Sequence, residues 1–382
     1  MKHKIFTFFL ALIASIGTLF AESGTCGENL TWDLTDGVLT ISGTGAMDNY
    51  DLWYSSYPSW HNYRLSITSV VITDGVTTIG EQAFRDYSNL TSVNIPNSVI
   101  SIGNSAFINC SGLTSVIIPN SITSIGKEAF SHCIALTSVT IPYSVTTIGN
   151  YAFGSCSALT SIDVASNNPN YCSVDGVLFN KDKTTLIQYP IGNTRTEYVI
   201  PNSVTTIGDN AFVGCSSLTS VTIPNSVITI GVAAFYECSS LTTVAIGNSV
   251  TSIGGFAFNS CSRLTSVTIP NSVTSIGDCA FWSCSGLTSI TCEAATPPTC
   301  GEKVFYEVDK SIPLYVPAGS VATYKAADQW KDFGENIQAI PTTAIDQFIN
   351  DISQTTNKII KDNQIFILLG EKVYTVTGQE VR

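Results

Sequence analysis

The chain has 382 residues and a formal net charge of -12, with only 12% of its residues charged. It carries no basic stripe, which excludes nucleic acid and anionic membrane surfaces as natural partners. Charged residues usually make up about a quarter of a soluble protein, so hydroxyls and amides must cover most of this surface.

Residues 1–21 predict a cleaved secretory signal peptide. Lys2 and Lys4 supply the positive start, and Ile5 to Phe20 is an apolar run of 16 residues. That run is shorter than the ~20 residues a spanning helix needs. Ala21 precedes a cut that leaves Glu22 near the mature start and removes two positive charges. Cys26 lies too far past the apolar run to be a lipoprotein cysteine. No later stretch is long and apolar enough to span a membrane. The expected location is therefore secreted or on the outer cell surface.

Residues 22–66 predict an N-terminal cap with a β-hairpin, because Leu30 to Leu34 and Val38 to Ile41 alternate around Thr35-Asp36-Gly37. Trp32, Trp53 and Trp60 lie here. They suit either a seal over an open end of a stack or an aromatic sugar-binding patch.

From 67 to 295 the chain repeats every 23 residues. Ala-Phe pairs recur at Phe84, Phe107, Phe130 and Phe153, then at Phe212, Phe235, Phe258 and Phe281. An Ile-Gly pair precedes each, and from the second repeat a Cys follows three residues later. Such a period marks a stack of units that cannot bury their apolar faces alone. In Leu264 to Cys284, the residues Leu264, Val267 and Ile269 form one face of a strand that Pro270 ends. Val273 and Ile276 make a second apolar patch before the bend at Gly277. Phe281 is the core plug and Cys284 a small filler. Ten strand starts, from Ile67 to Leu287, give ten turns. At about 4.8 Å per turn the sheet spans roughly 45–50 Å.

The repeat spacing between Phe153 and Phe212 is 59, an excess of 36. The apolar runs Val177-Leu178-Phe179 and Thr185 to Tyr189 flank Lys181-Asp182-Lys183. They predict a hairpin insertion at about 165–194, either a projecting binding element or an enlarged structural coil. Pro-rich residues 296–340 predict a C-terminal cap, 341–357 a linker, and 358–382 a strand-like segment.

The string Leu-x-x-Val-x-Ile-Pro-Asn with Ile-Gly-x-x-Ala-Phe-x-x-Cys-x-x-Leu resembles BspA-like leucine-rich-repeat surface proteins. The resemblance covers about Ile67 to Cys292. It implies a mainly β solenoid of leucine-rich-repeat type, curved, with a parallel sheet on the concave face and capped at both ends. It also implies a secreted or surface protein that binds other macromolecules. The ending Val-Tyr-Thr-Val-Thr-Gly-Gln-Glu-Val-Arg resembles sorting segments of type IX secretion cargo. A terminal hairpin packed on the cap is the other reading.

Of the 12 cysteines, seven occupy one repeat position (Cys110, Cys133, Cys156, Cys215, Cys238, Cys261 and Cys284). Parallel side chains one turn apart are too distant and too parallel for a disulfide, so a ladder of free thiols is expected. Cys292 and Cys300 flank a Pro-Pro turn and could form a bridge, with Cys279 a second candidate partner. No metal spacing, phosphate loop or nucleophile elbow is present, so no catalysis and no cofactor are expected.

The exposed positions of the sheet form a near-uniform Ser/Thr ladder, represented by Ser138 and Thr140. Ile117, Asp163, Glu197 and Val199 depart from it around the insertion, and these six are the candidate binding residues. The expected function is adhesion to host or neighbouring-cell proteins or glycans by a monomeric chain. The alternative is a passive surface-layer or spacer protein.

Overall fold

The computed structural model describes residues 22–51 and 56–341, and four tail strands, Lys358–Lys361, Gln364–Leu369, Lys372–Thr375 and Glu380–Val381. The leader, Trp53 and the linker segment 342–357 lie outside the described residues. The chain winds as a mainly β solenoid of about 12 turns with little helix. The ladder continues past the repeats on both sides, which is why it exceeds the ten turns counted from the motif. Val38–Gly43 pairs in parallel with Ser69–Ile72, and Leu314–Val316 pairs with both Ser289–Cys292 and Ile337–Ala339.

A regular turn contributes two strands and one bend; the turn that holds Ile117 lacks the first strand. The first strand carries the Ser-Val-Thr-Ile pattern, and equivalent residues meet in register, as in Ser266 with Ser289 and Val267 with Ile290. Its Val and Ile point inward and are buried, while its Ser and Thr face out. The second strand is only a Ser-Ile or Thr-Ile dipeptide, yet Ser101–Ile102, Ser124–Ile125 and Thr147–Ile148 form a continuous parallel ladder. The sequence showed this stretch only as an apolar patch with a bend.

The Ala-Phe segment forms a knuckle that bonds forward to the next turn. Glu128 N–H donates to the Asn150 carbonyl at 3.1 Å, Phe130 N–H to Ala152 at 2.8 Å, and His132 N–H to Gly154 at 2.8 Å. To aim these groups, Glu128 and His132 adopt left-handed φ values of 56° and 58°. That conformation costs roughly 1–2 kcal/mol per non-glycine residue, offset by the bonds it permits. The Gly starting each knuckle answers a different constraint. A Cβ at Gly126 would lie 2.6 Å from the backbone of the preceding turn.

Behind the knuckles the Phe rings form a column. Phe107 and Phe130 are 5.2 Å apart and 4° from parallel, and Phe235 and Phe258 are 5.1 Å apart at 2°. Trp60 closes one end against Phe84 at 6.0 Å, and Trp330 closes the other against Phe305 at 5.1 Å. Both indoles are fully buried, so neither presents a surface to a sugar.

The repeat cysteines line the core as free thiols. Six donate to the Phe carbonyl of the previous turn, among them Cys156 to Phe130 at 3.1 Å and Cys284 to Phe258 at 3.0 Å. Burial pushes Cys156, Cys238 and Cys284 up to about 12. An ordinary thiol titrates near 8.5, roughly. Between these values the unfolded chain releases protons that the native chain keeps. Stability is therefore full below the unfolded value and falls as pH rises above it, by about 1.4 kcal/mol per pH unit per thiol. Urea midpoints measured at pH 7 and pH 10 should drop at the higher pH, and Cys238→Ala should reduce the drop. Equal midpoints for the native chain would refute this.

The insertion is a hairpin of three strands, Tyr171–Val174, Val177–Asn180 and Thr185–Gln188. It does not simply project. Leu178 packs into the N-terminal core while Val177 and Phe179 pack into the C-terminal core, and all three are fully buried. Val177–Asn180 is thus a partition between two hydrophobic columns. Asn168 anchors its start, donating to the Pro142 and Val145 carbonyls at 2.8 and 3.1 Å and accepting from Asn170 and Tyr171 N–H. The four tail strands form their own antiparallel sheet in chain order.

Candidate functional site

The outer positions of the first ladder make one hydroxyl-rich face. Strand pairing sets Ser138 beside Ser161 and Thr140 beside Asp163. Ile117 occupies the equivalent place one turn before Thr140, where the backbone has no regular strand. It is 83% exposed. Beyond the insertion, Glu197 and Val199 pair with Ser220 and Thr222, and Val199 is 70% exposed. The six residues therefore share one face, four before the insertion and two after it. Between the groups sits the hairpin tip, where Ile162 N–H donates to the Gly176 carbonyl at 2.8 Å. Asp175 at that tip lies 3.9 Å from Arg195, an exposed pair. Ser161 donates to the Asp163 carboxylate at 3.1 Å, which fixes that charge in place.

Large apolar side chains in water are informative only against their surroundings. Here Ile117 stands one turn from Asn94 and from Thr140, and Val199 beside Glu197 and Thr222. Nothing in the packing requires either residue, since their side chains point away from the core.

Cys292 and Cys300, the pair considered for a bridge, are separate thiols in the structure. The Tyr324 hydroxyl donates to the Cys292 sulfur at 3.1 Å, and Cys300 points to the Pro298 carbonyl at 3.7 Å. Burial raises both thiols, Cys300 to about 12. Cys279 and Cys172 are also raised by burial. None has the lowered value of a nucleophilic thiolate. Among the described residues, no group of three or more His, Cys, Asp or Glu is placed to hold a metal ion. No helix among them is long and apolar enough to cross a membrane.

A second feature escaped the repeat pattern. On the knuckle edge beside the insertion lies a cavity of about 560 Å³ whose rim includes Tyr151, Tyr236 and Phe256. These aromatics stand at variable positions of the repeat, where a single motif gives no signal. Only alignment of the knuckles across the insertion brings them together.

Comparison with known proteins accords with this geometry. Residues 58–176 and 192–311 match the model of the BspA type leucine rich repeat region, in six copies. A leucine-rich repeat protein from Eubacterium ventriosum is 26% identical, with TM-score 0.60, over 90% of this chain and 99% of that one. A leucine rich cell surface protein from Faecalibacterium prausnitzii is 25% identical, with TM-score 0.49, over 84% of this chain and 99% of that one. The pneumococcal vaccine antigen PcpA shares the fold at 18% identity and TM-score 0.58, over 85% of this chain and 99% of its own. No curated protein matches the chain. The family match leaves out 177–191, the stretch that holds the partition strand, and covers more than half of the 382 residues. The chain therefore belongs to the BspA-type leucine-rich-repeat family.

Proposed function

We propose that the chain is an exported, non-catalytic binding protein that holds host or neighbouring-cell proteins or glycans on its hydroxyl-rich face. The observation that carries this reading is the exposure of Ile117 and Val199 on either side of the insertion, with Glu197 beside Val199 and Asp163 two turns from Ile117. Exposed apolar side chains on a polar face supply apolar area that a bound partner can cover. Elsewhere the face is uniform Ser and Thr, which favours the second reading, a passive spacer.

Binding of the purified chain to immobilised matrix proteins, glycan arrays and neighbouring cells separates the two. The double variant Ile117→Asp, Val199→Asp should weaken any partner at least about tenfold, a loss of roughly 1.4 kcal/mol, with unchanged urea midpoint. Absence of any partner, or unchanged binding by the variant, would favour the spacer. Exchange of the whole 165–194 segment is a poorer test, because the partition strand is built into both cores.

Export rests on the leader and on the tail's likeness to type IX sorting segments. Fractionation of cells producing the full chain and a version ending at Asn357 tests the tail. The shortened chain should fail to reach the surface; equal delivery would remove the sorting role.

A further inference from the structure

Among the described residues, the backbone bonding from knuckle to knuckle has one break. In the knuckles with a complete successor, three amides donate to the next turn, as Glu128, Phe130 and His132 do. Among the described residues, the corresponding amides of Tyr151, Phe153 and Ser155 have no backbone acceptor. The cause lies in the length of the next turn. Leu186 pairs with Ile207, and Tyr189 takes the Phe position, donating to the Ala211 carbonyl at 2.8 Å and stacking on Phe212 at 5.2 Å. Tyr189 follows Leu186 by three residues, whereas Phe212 follows Ile207 by five. The knuckle of this turn is shortened by two residues, and its outward excursion is missing.

What remains is a slot one turn wide, about 10 Å between its walls, twice the spacing of adjacent strands. On one side lie the Tyr151 and Ser155 amides, with that of the buried Phe153 between them in the chain. The other presents the Asp209 and Val213 carbonyls, which accept no backbone bond among the described residues although their equivalents Asn150 and Gly154 do. The Asn150 and Asn210 side chains meet across it at 3.3 Å. Tyr151, Ser155 and Val213 line the cavity of about 560 Å³, and Tyr151 and Asp209 line a separate cavity of about 260 Å³ that shares Asn150, Tyr151 and Asn210 with it. The larger volume is within the roughly 300–1,000 Å³ of ligand pockets.

We propose that this slot takes up an extended polypeptide segment of another protein, which stands in for the missing knuckle by main-chain hydrogen bonding. Donors at alternate residues on one wall and acceptors on the other match an extended main chain, as in strand addition at a sheet edge. Sugar hydroxyls have no such period. Tyr151, Tyr236 and Phe256 on the rim take apolar side chains. Lys127 in the larger cavity pairs with Glu128 at 3.2 Å, and Glu237 there, with Asp209 in the smaller cavity, favours a basic residue in the segment. The chain's own tail is not the occupant, because its strands pair with one another in an antiparallel sheet.

The test is hydrogen exchange on the full chain, read by NMR. The probe is a library of capped heptapeptides with a central Lys. Without peptide, the Tyr151, Phe153 and Ser155 amides should exchange at least about tenfold faster than those of Glu128, Phe130 and His132. Library peptides should slow them about tenfold, and copies N-methylated at alternate amides should not. Glu237→Lys should weaken the peptide effect about fivefold while exchange in the neighbouring turns stays unchanged. The proposal is overturned if the three amides are already protected, or if no library peptide slows them. It is equally overturned if N-methylated peptides act as well, or if a β-1,4-linked glucose hexamer protects them in place of peptide.

Discussion

Phe130→Ala should destabilise the N-terminal column by about 3–5 kcal/mol, the usual cost of emptying a large aromatic from a core. The ring is fully buried and lies 5.2 Å from Phe107 and 5.6 Å from Phe153. Removal therefore breaks two stacking contacts and opens a void that its neighbours cannot close, because each ring is held by its own knuckle. The turns contact only their neighbours, so stability is nearly a sum of local terms. Hydrogen exchange should show protection lost around residues 103–156 and kept beyond 200. A uniform loss along the whole chain would mean that the stack melts as one unit, contrary to this expectation.

Leu178→Asp should have the second large effect. Leu178 is the one residue of the partition strand that belongs to the N-terminal core, while Val177 and Phe179 belong to the other. A carboxylate there has no counter-charge, and it must remain charged in an apolar site or be protonated against its preference. The expected loss is more than about 4 kcal/mol, concentrated at the junction. Calorimetry of the variant should resolve two transitions, one for each column. A single transition at a lower temperature would show that the columns are coupled by more than this strand.

The core was legible because it is periodic. Phe107, Phe130 and Cys133 recur at a fixed interval, and burial follows once the turns are stacked. The second ladder was not legible, since a dipeptide such as Ser101–Ile102 is too short to show alternation. Val177-Leu178-Phe179 did hold a signal. An unbroken apolar run is what a strand buried on both faces carries, but beside a charged turn it reads as a simple hairpin. The outward placement of Ile117 and Val199 could be read from the period of two along each strand. The slot could not. Seeing it requires Tyr189 to be recognised as a substitute for Phe, and Tyr shares neither the Ala before it nor the Cys after it.

The paired indoles Trp60 and Trp330 have a consequence for how such a gene can change. Each end is closed by a residue outside the repeated unit, so unequal recombination that adds or removes one 23-residue unit leaves both closures intact. Within either column the event is nearly silent for the fold, and it alters only the reach of the molecule. A crossover that removes residues 165–194 would instead leave Leu159 and Tyr198 facing each other without their divider. Length in this chain is free to drift on either side of the junction, and the junction itself is the part under constraint.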